Sequence, residues 1–280
     1  MSAPAKKTGP APAADSHPKL EVRDLHKSFG PKVVLDGISF AVADGESLVI
    51  LGPSGTGKSV LLKHLIGLIE PDSGAVFVDG QDFWSLDAVT QTRVRKKFGM
   101  SFQEGALFDS MSVFDNVAFP LRRSGRAPKE VRERVKECLD IVHLPDVSEK
   151  RPSELSGGMR RRVGFARAIA HEPEILLFDE PNTGLDPIMT EIIDEVILEM
   201  RERLKATIVT ITHHVASAQK IGDRVALLFG GKILYDATPE EFLRAKDPAV
   251  RQFVEGNAEG PLTMEDETPS RKRVSQPGHS

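Results

Sequence analysis

Apolar and polar positions alternate from Lys19 to Glu46, in KLEVRDL and DGISFAVADGE, between Gly and Asp turn residues. A period of two predicts half-exposed antiparallel strands. The pattern then changes. SLVIL, EILLFDE and ATIVTIT are short continuous apolar runs, each followed by a loop or a helix-spaced segment. Such runs predict strands buried on both faces, the centre of a parallel sheet covered by helices. Between Asp87 and about His171 the spacing turns helical, most clearly in PKEVRERVKECLDIVHL, where Val131, Val135, Cys138, Leu139 and Val142 share one face. An inserted helical subdomain is expected there. Downstream, RVALLFGGKILYD predicts a hairpin turning at Gly230 and Gly231. TPEEFLRAKDPAVRQFVEG opens with Thr238 as a helix cap, Pro239 first inside and Glu241 three residues on.

Residues 1–18 are rich in Ala and Pro and lack the apolar centre of a signal peptide, so a disordered leader is expected. From Gly256 to Ser280 the periodicity dissolves into a polar, Pro-containing tail whose RKR triplet reads as solvated. The ordered domain is therefore expected over 19–255. No stretch approaches the roughly 20 apolar residues that span a bilayer, since SVLLKHLIGLI is broken by Lys63 and His64. The expected location is the cytoplasm. A formal net charge of -4 argues against generic nucleic-acid binding, and any anion site must be local. Cys138 is the single cysteine and reads as a helix-packing residue. The basic cluster Arg122, Arg123, Arg126, Lys129 and Arg132 reads first as a solvated face.

The chemistry begins at GPSGTGKS, Gly52 to Ser59, set between the strand SLVIL and the helix KSVLLKHLIGLI. It fits G-x-x-x-x-G-K-[ST] in the required strand-to-helix context. Gly52, Gly55 and Gly57 let the backbone fold into a nest of N–H groups around phosphate oxygens. Lys58 adds a charge toward the β and γ phosphates, and the Ser59 hydroxyl is placed for a magnesium ion. EILLFDE supplies the complementary part: Asp179 toward the metal and Glu180 to polarise water.

SELSGGMRRR poses a conflict, because three arginines crowd the start of a helix whose dipole already favours acidic residues there. The order GPSGTGKS, Gln103 in GMSFQEG, LSGGM, ILLFDEP, GLDP and TITHH resembles the nucleotide-binding subunits of ATP-binding-cassette (ABC) transporters, over roughly Leu20 to Phe253. The resemblance implies an α/β P-loop NTPase core with an antiparallel β subdomain and an inserted helical subdomain. It implies ATP bound through Gly52, Pro53, Ser54, Gly55, Thr56, Gly57, Lys58 and Ser59, with Phe29 stacked on adenine and Mg2+ held by Ser59, Gln103 and Asp179. Glu180 and His213 would act with Lys58 in hydrolysis. Ser156, Gly157 and Gly158 would bind the γ-phosphate of a nucleotide held by a second copy of the chain, with Asp186 crossing between copies. The positive field at the helix start would then find its partner in that second copy's ATP, although three successive helix positions point about 100° apart, so some of the arginines must face the domain or solvent. Met159 stands where Gln is usual, and His214 where Asp is common. Within the family, FQEGALFDSMSVFDNVAFPLR and QFVEGNAEGP are similar to ATPase subunits of Mla and related MCE-type lipid transport systems. That likeness implies a separate membrane permease, an MCE-type lipid-binding component and a place at the cytoplasmic face of the inner membrane. An importer of another small substrate, or a soluble ABC regulatory ATPase, stays open.

Overall fold

The computed structural model describes residues 17–103 and 105–263. The expectations for residues 1–16 and for the RKR triplet lie outside the described residues. In chain order the strands are β1 (Leu20–Phe29), β2 (Lys32–Val42), β3 (Ser47–Leu51), β4 (Ser73–Val78), β5 (Gln81–Asp82), β6 (Phe98–Ser101), β7 (Ile175–Asp179), β8 (Thr207–Thr212), β9 (Arg224–Phe229) and β10 (Lys232–Ala237). The helices are α1 (Lys58–Leu65), α2 (Ala88–Arg95), α3 (Val113–Arg123), α4 (Pro128–Ile141), α5 (Gly157–Ile169), α6 (Pro187–Leu204), α7 (Val215–Ile221), α8 (Pro239–Arg244) and α9 (Pro248–Glu255).

The alternating segments form an antiparallel sheet in the order β2-β1-β4-β5. The continuous apolar runs lie in a second sheet, β10-β9-β3-β8-β7-β6, parallel except for β10 at its edge. Every residue of β3 and β8 is buried, as strands covered on both faces require. Leu48 and Ile50 point into a core shared with α1 and the antiparallel sheet. Val49 and Leu51 point to the other face, into a core shared with α5, α6 and α7. The hairpin turns at Gly230 and Gly231, whose φ values of 55° and 74° suit a two-residue turn of the primed kind.

The helical stretch is interrupted where it was expected to be continuous. Residues 98–101 form β6, paired in parallel with β7, so the helices that pack as a unit are α3, α4 and α5. Four residues are too few for periodicity to separate a buried strand from a helix segment. Val131, Val135, Cys138, Leu139 and Val142 are all buried in that unit, and burial pushes the Cys138 thiol up to about 12. Arg134 of α4 is buried too, donating from Nε to Ala170 O at 3.0 Å and from Nη2 to Ile169 O at 2.8 Å. A cation thus closes the C-terminal end of α5, where the helix dipole favours one.

Other boundaries also move. α1 ends at Leu65, short of the expected LIGLI, because Gly67 turns left-handed at φ 71° against the Phe83 ring. The Thr238 cap holds with its Glu241 partner, but Asp247 starts a second helix, so the segment is two short helices and not one. The chain past Gly256 is not featureless: Gln252, itself buried, accepts from Leu262 N at 2.7 Å and donates to Leu262 O at 3.2 Å, and Leu262 joins the core. One pinned leucine has no period to betray it.

Candidate functional site

The parallel register brings the candidate residues together. Leu51 of β3 lies beside Thr212 of β8, Asp179 of β7 beside Ile211, and Ser101 of β6 beside Phe178. The glycine loop, the acid pair, His213 and Gln103 therefore all emerge at the carboxyl edge of one sheet, where open α/β sheets place ligands.

After β3 the loop turns through Gly55 at φ 80° and Gly57 at φ 94° into α1. Gly52 must be glycine for another reason, since a Cβ there would lie 2.4 Å from Leu228 O. Lys58 is buried, and its ammonium donates to Gly52 O at 2.6 Å and Pro53 O at 2.8 Å while lying 3.2 Å from Glu180 Oε1. Burial lowers its pKa, with Glu180 and Asp179 opposing that shift. Thr56 donates its hydroxyl to Pro53 O at 2.9 Å, bracing the loop from within. Ser54 and Gly55 are exposed at its rim.

Ser59 Oγ donates to Asp179 Oδ1 at 3.0 Å. Burial raises the Asp179 pKa, and neighbouring Glu180 adds to the rise. Glu180 itself takes a left-handed backbone, φ 50°, unusual for a side chain of its kind. That twist leaves Oε1 toward Lys58 and Oε2 toward His213 Nδ1 at 2.8 Å, with Thr183 Oγ1 donating to the same Oε2 at 3.1 Å. His214 holds its ring 4.5 Å from that of His213, tilted by 40°, and begins α7 without capping it through its side chain. A hydroxyl and a carboxylate side by side form an all-oxygen donor set of the kind magnesium prefers, one that counts on phosphate and water for its remaining ligands. Among the described residues no hydrogen bond ties the Gln103 amide to that pair. Gln103 is exposed, and its carbonyl accepts from Arg161.

The Ser-Gly-Gly segment starts α5. Ser156 caps it by accepting from Met159 N at 3.2 Å. Gly158 is buried against α6, where a Cβ would meet Met189 Cε at 2.3 Å. Gly157 is exposed, and a Cβ there would approach nothing nearer than Arg160 Nη2 at 3.9 Å. Asp186 caps α6, its Oδ1 accepting from Ile188 N at 2.9 Å and Met189 N at 3.0 Å. Phe29 is half exposed at the end of β1, with Lys27 Nζ 5.7 Å from its ring centre.

The family model for the ABC transporter matches residues 35–183, spanning the glycine loop, the Ser-Gly-Gly segment and the acid pair. This chain belongs to the ABC transporter family. Over 249 residues this ABC ATPase is 42% identical to the "probable ribonucleotide transport ATP-binding protein mkl" of Mycobacterium leprae, covering 89% of this chain and 72% of that one. It is 40% identical to the "intermembrane phospholipid transport system ATP-binding protein MlaF" of Haemophilus influenzae, covering 87% of this chain and 92% of that one. Among solved structures, the dimeric ATP-binding cassette MJ0796, bound to ADP and Pi after hydrolysis, superposes with a TM-score of 0.71 at 30% identity over 79% of this chain and 98% of that one. The chain is thus an ATP-hydrolysing subunit of the ABC type, with the α/β fold expected of it.

Each of the three arginines of this ABC ATPase has carbonyl partners within its own chain. Arg160 donates to Leu155 O at 2.7 Å, Arg161 to Gln103 O at 2.8 Å and Thr183 O at 2.9 Å, and Arg162 to Val142 O and His143 O, each at 3.2 Å. Arg161, Thr183 and the buried Asn182 escaped the motif reading. The arginine run marked the place, but nothing in the sequence marks which carbonyls a guanidinium will reach. Likewise, three members of the basic cluster pair within the chain: Arg122 with Asp115, Arg126 with Glu172, and Lys129 with Glu133.

Proposed function

We propose that this ATPase powers the movement of phospholipid between membranes through a separate permease, working as a head-to-tail pair of copies with two ATP molecules between them. The observation that carries the hydrolytic part is the convergence of Lys58, Ser59, Asp179, Glu180 and His213 at one sheet edge, Ser59 bonded to Asp179, and Lys58 and His213 both in contact with Glu180. The loop from Gly52 to Ser59 holds the phosphates, Lys58 exchanging its carbonyl partners for β and γ oxygens. Ser59 and Asp179 hold Mg2+, with Gln103 as the candidate third ligand; the ion's chemistry here is to neutralise phosphate charge and fix phosphate geometry. Glu180 takes the proton of the attacking water, and His213, positioned by Glu180, reaches the γ-phosphate from its other ring nitrogen. Phe29 offers an aromatic face to the adenine.

Gly157 supports the pairing of copies. Among the described residues nothing crowds that position, and the open space beside it admits a ligand approaching from outside. Ser156, Gly157 and Gly158 then supply N–H donors at a helix N-terminus to a nucleotide bound by the other copy, and Asp186 is exposed at the head of α6, whose Met189 lies against Gly158. The MlaF relative supports lipid as cargo, and an MCE-type component would receive or deliver it. The mkl relative, named for ribonucleotides, supports a second reading. Among the described residues no helix is long and apolar enough to cross a membrane, which suits a chain attached to the inner face of the membrane by its permease.

Two measurements test this. Glu180→Gln should lower ATP turnover by about 10²- to 10⁴-fold while ATP still binds, and turnover at the parent rate removes Glu180 as the base. Purifying the chain with its membrane partner and identifying bound small molecules by mass spectrometry tests the cargo. Phospholipid is expected, and nucleotide captured by the permease would overturn the lipid reading.

A further inference from the structure

Of the three arginines at the start of α5, the middle one is placed differently from its neighbours. Arg160 folds back on Leu155, just before its own helix, and Arg162 reaches the end of α4 at Val142 and His143. All three bonds stay within the helical unit. Arg161, only 7% exposed, leaves it in two directions. Nε donates to Gln103 O, in the segment that follows β6, and Nη2 donates to Thr183 O, in the turn that joins the acid pair to Asp186.

That turn is rigidly held. Asn182, fully buried, donates from Nδ2 to Asp194 Oδ1 at 2.8 Å and to Ser217 Oγ at 2.7 Å. Thr183 N donates to Glu180 O at 3.4 Å, and Thr183 Oγ1 to Glu180 Oε2. One residue, Thr183, therefore takes hold of Glu180 through its hydroxyl and of Arg161 through its carbonyl. The Gln103 side of the bridge has a second anchor: Arg167, two turns along α5, donates to Gly105 O at 2.8 Å, and Gly164 between them lies so close that a Cβ would meet Gly105 Cα at 2.7 Å.

We propose that Arg161 is a positioning residue for hydrolysis: it ties the helix headed by Ser156, the Gln103 segment and the Glu180–Asp186 turn into one unit, so that the Glu180 carboxylate is aimed through Thr183. The proposal rests on Glu180 being the base. The side chain type matters because a guanidinium presents donors at Nε and Nη in a fixed plane, able to serve two carbonyls from two loops at once, whereas an ammonium is a single point of charge. Losing the bridge frees the turn to shift, and a misplacement of about 1 Å at a reacting group can lower a rate on the order of 10²-fold.

The test uses the full chain with its membrane partner and reads kcat and the ATP dissociation constant separately. Arg161→Met should lower kcat roughly ten- to a hundredfold with ATP affinity unchanged within about twofold. Arg161→Lys should recover part of that loss, and it carries the measurement alone if the methionine variant does not fold. Arg162→Met, which cuts only the tie to α4, should keep the parent kcat. In a double-mutant cycle, Arg161→Met combined with Thr183→Val should lose little more than the worse single variant, since both act on one carboxylate. Fully multiplicative losses, or parent kcat in both Arg161 variants, would overturn the role of Arg161. Glu180→Gln, measured alongside, keeps the two readings apart: turnover surviving there removes the base and this proposal with it, whereas turnover lost there but intact at Arg161 removes the bridge alone.

Discussion

Gly99 is where the fold sets the distance between the two halves of the site, and adding one methyl group tests that distance. It lies in β6 with no positive φ, so alanine suits its backbone and the demand for glycine is one of space. A Cβ there would lie 2.4 Å from Ala168 O, and 2.9 Å from both Leu176 Cδ2 and Pro173 Cγ. The first of these is a carbonyl in the last turn of α5, which no side-chain rotation can clear. The helix and strand must separate by roughly an ångström, an overpacking that typically costs about 1–3 kcal/mol. Restricting the unfolded chain gives back about 0.4–1 kcal/mol, so Gly99→Ala should be net destabilising by about 1–2 kcal/mol. At about 2–4 °C per kcal/mol for a chain of this size, the thermal midpoint should fall by about 2–8 °C. Because β6 leads to Gln103 and α5 begins at Ser156, ATP turnover should fall as well. Urea denaturation followed by circular dichroism gives the first quantity and a phosphate-release assay the second. A variant as stable as the parent, or more so, would show that β6 and α5 are not in contact as described.

Gly157→Ala is the converse case: with open space around it, folding stability should hold or rise by up to about 1 kcal/mol, while ATP-driven association of two copies fails. Normal association, followed by light scattering in the Glu180→Gln background, would remove Gly157 from the shared site. Arg134→Met strips Ile169 O and Ala170 O of their buried donor and should destabilise the chain by about 2–4 kcal/mol in urea; a midpoint unmoved by the change would mean those carbonyls find other partners. Asp179→Asn carries a pH signature. Burial raises the Asp179 pKa above its unfolded value, so the folded state binds the proton more tightly, and the carboxyl withdraws stability as pH rises from the unfolded pKa through the folded one. The asparagine variant should therefore equal or exceed the parent in stability at pH 7, lose that advantage as the solution is acidified, and hydrolyse no ATP. Lower stability than the parent at pH 7 would contradict the assignment.

The strands of the parallel sheet were readable because burial on both faces leaves an unbroken apolar run, as SLVIL and ATIVTIT show at every position. The glycine loop was readable because phosphate binding needs particular residue types at fixed spacing, and the register of β3, β7 and β8 then carries its partners to the same edge. β6 was not, for four residues cannot display a period. Nor was the attachment of Leu262, which depends on one glutamine ten residues earlier offering both a donor and an acceptor. Thr183 and Asn182 stayed hidden inside the motif itself, since the residue types around an acid pair do not reveal which of them hydrogen-bond to it.

The arginines show why such contacts escape a reading of charges. A positive side chain near a helix N-terminus is disfavoured by about 0.3–1 kcal/mol, which invites a search for a compensating anion. Every residue, however, carries a carbonyl, and a hydrogen bond with one charged partner contributes about 1.5–3 kcal/mol. Arg161 makes two such bonds in a buried setting, and Arg160 makes one at 2.7 Å. The carbonyl contacts therefore outweigh the dipole term without any phosphate. In the proposed pair of copies the γ-phosphate of a partner's ATP would meet the N–H donors that follow Ser156, while Arg160 and Arg161 tie that helix end to Leu155, Gln103 and Thr183.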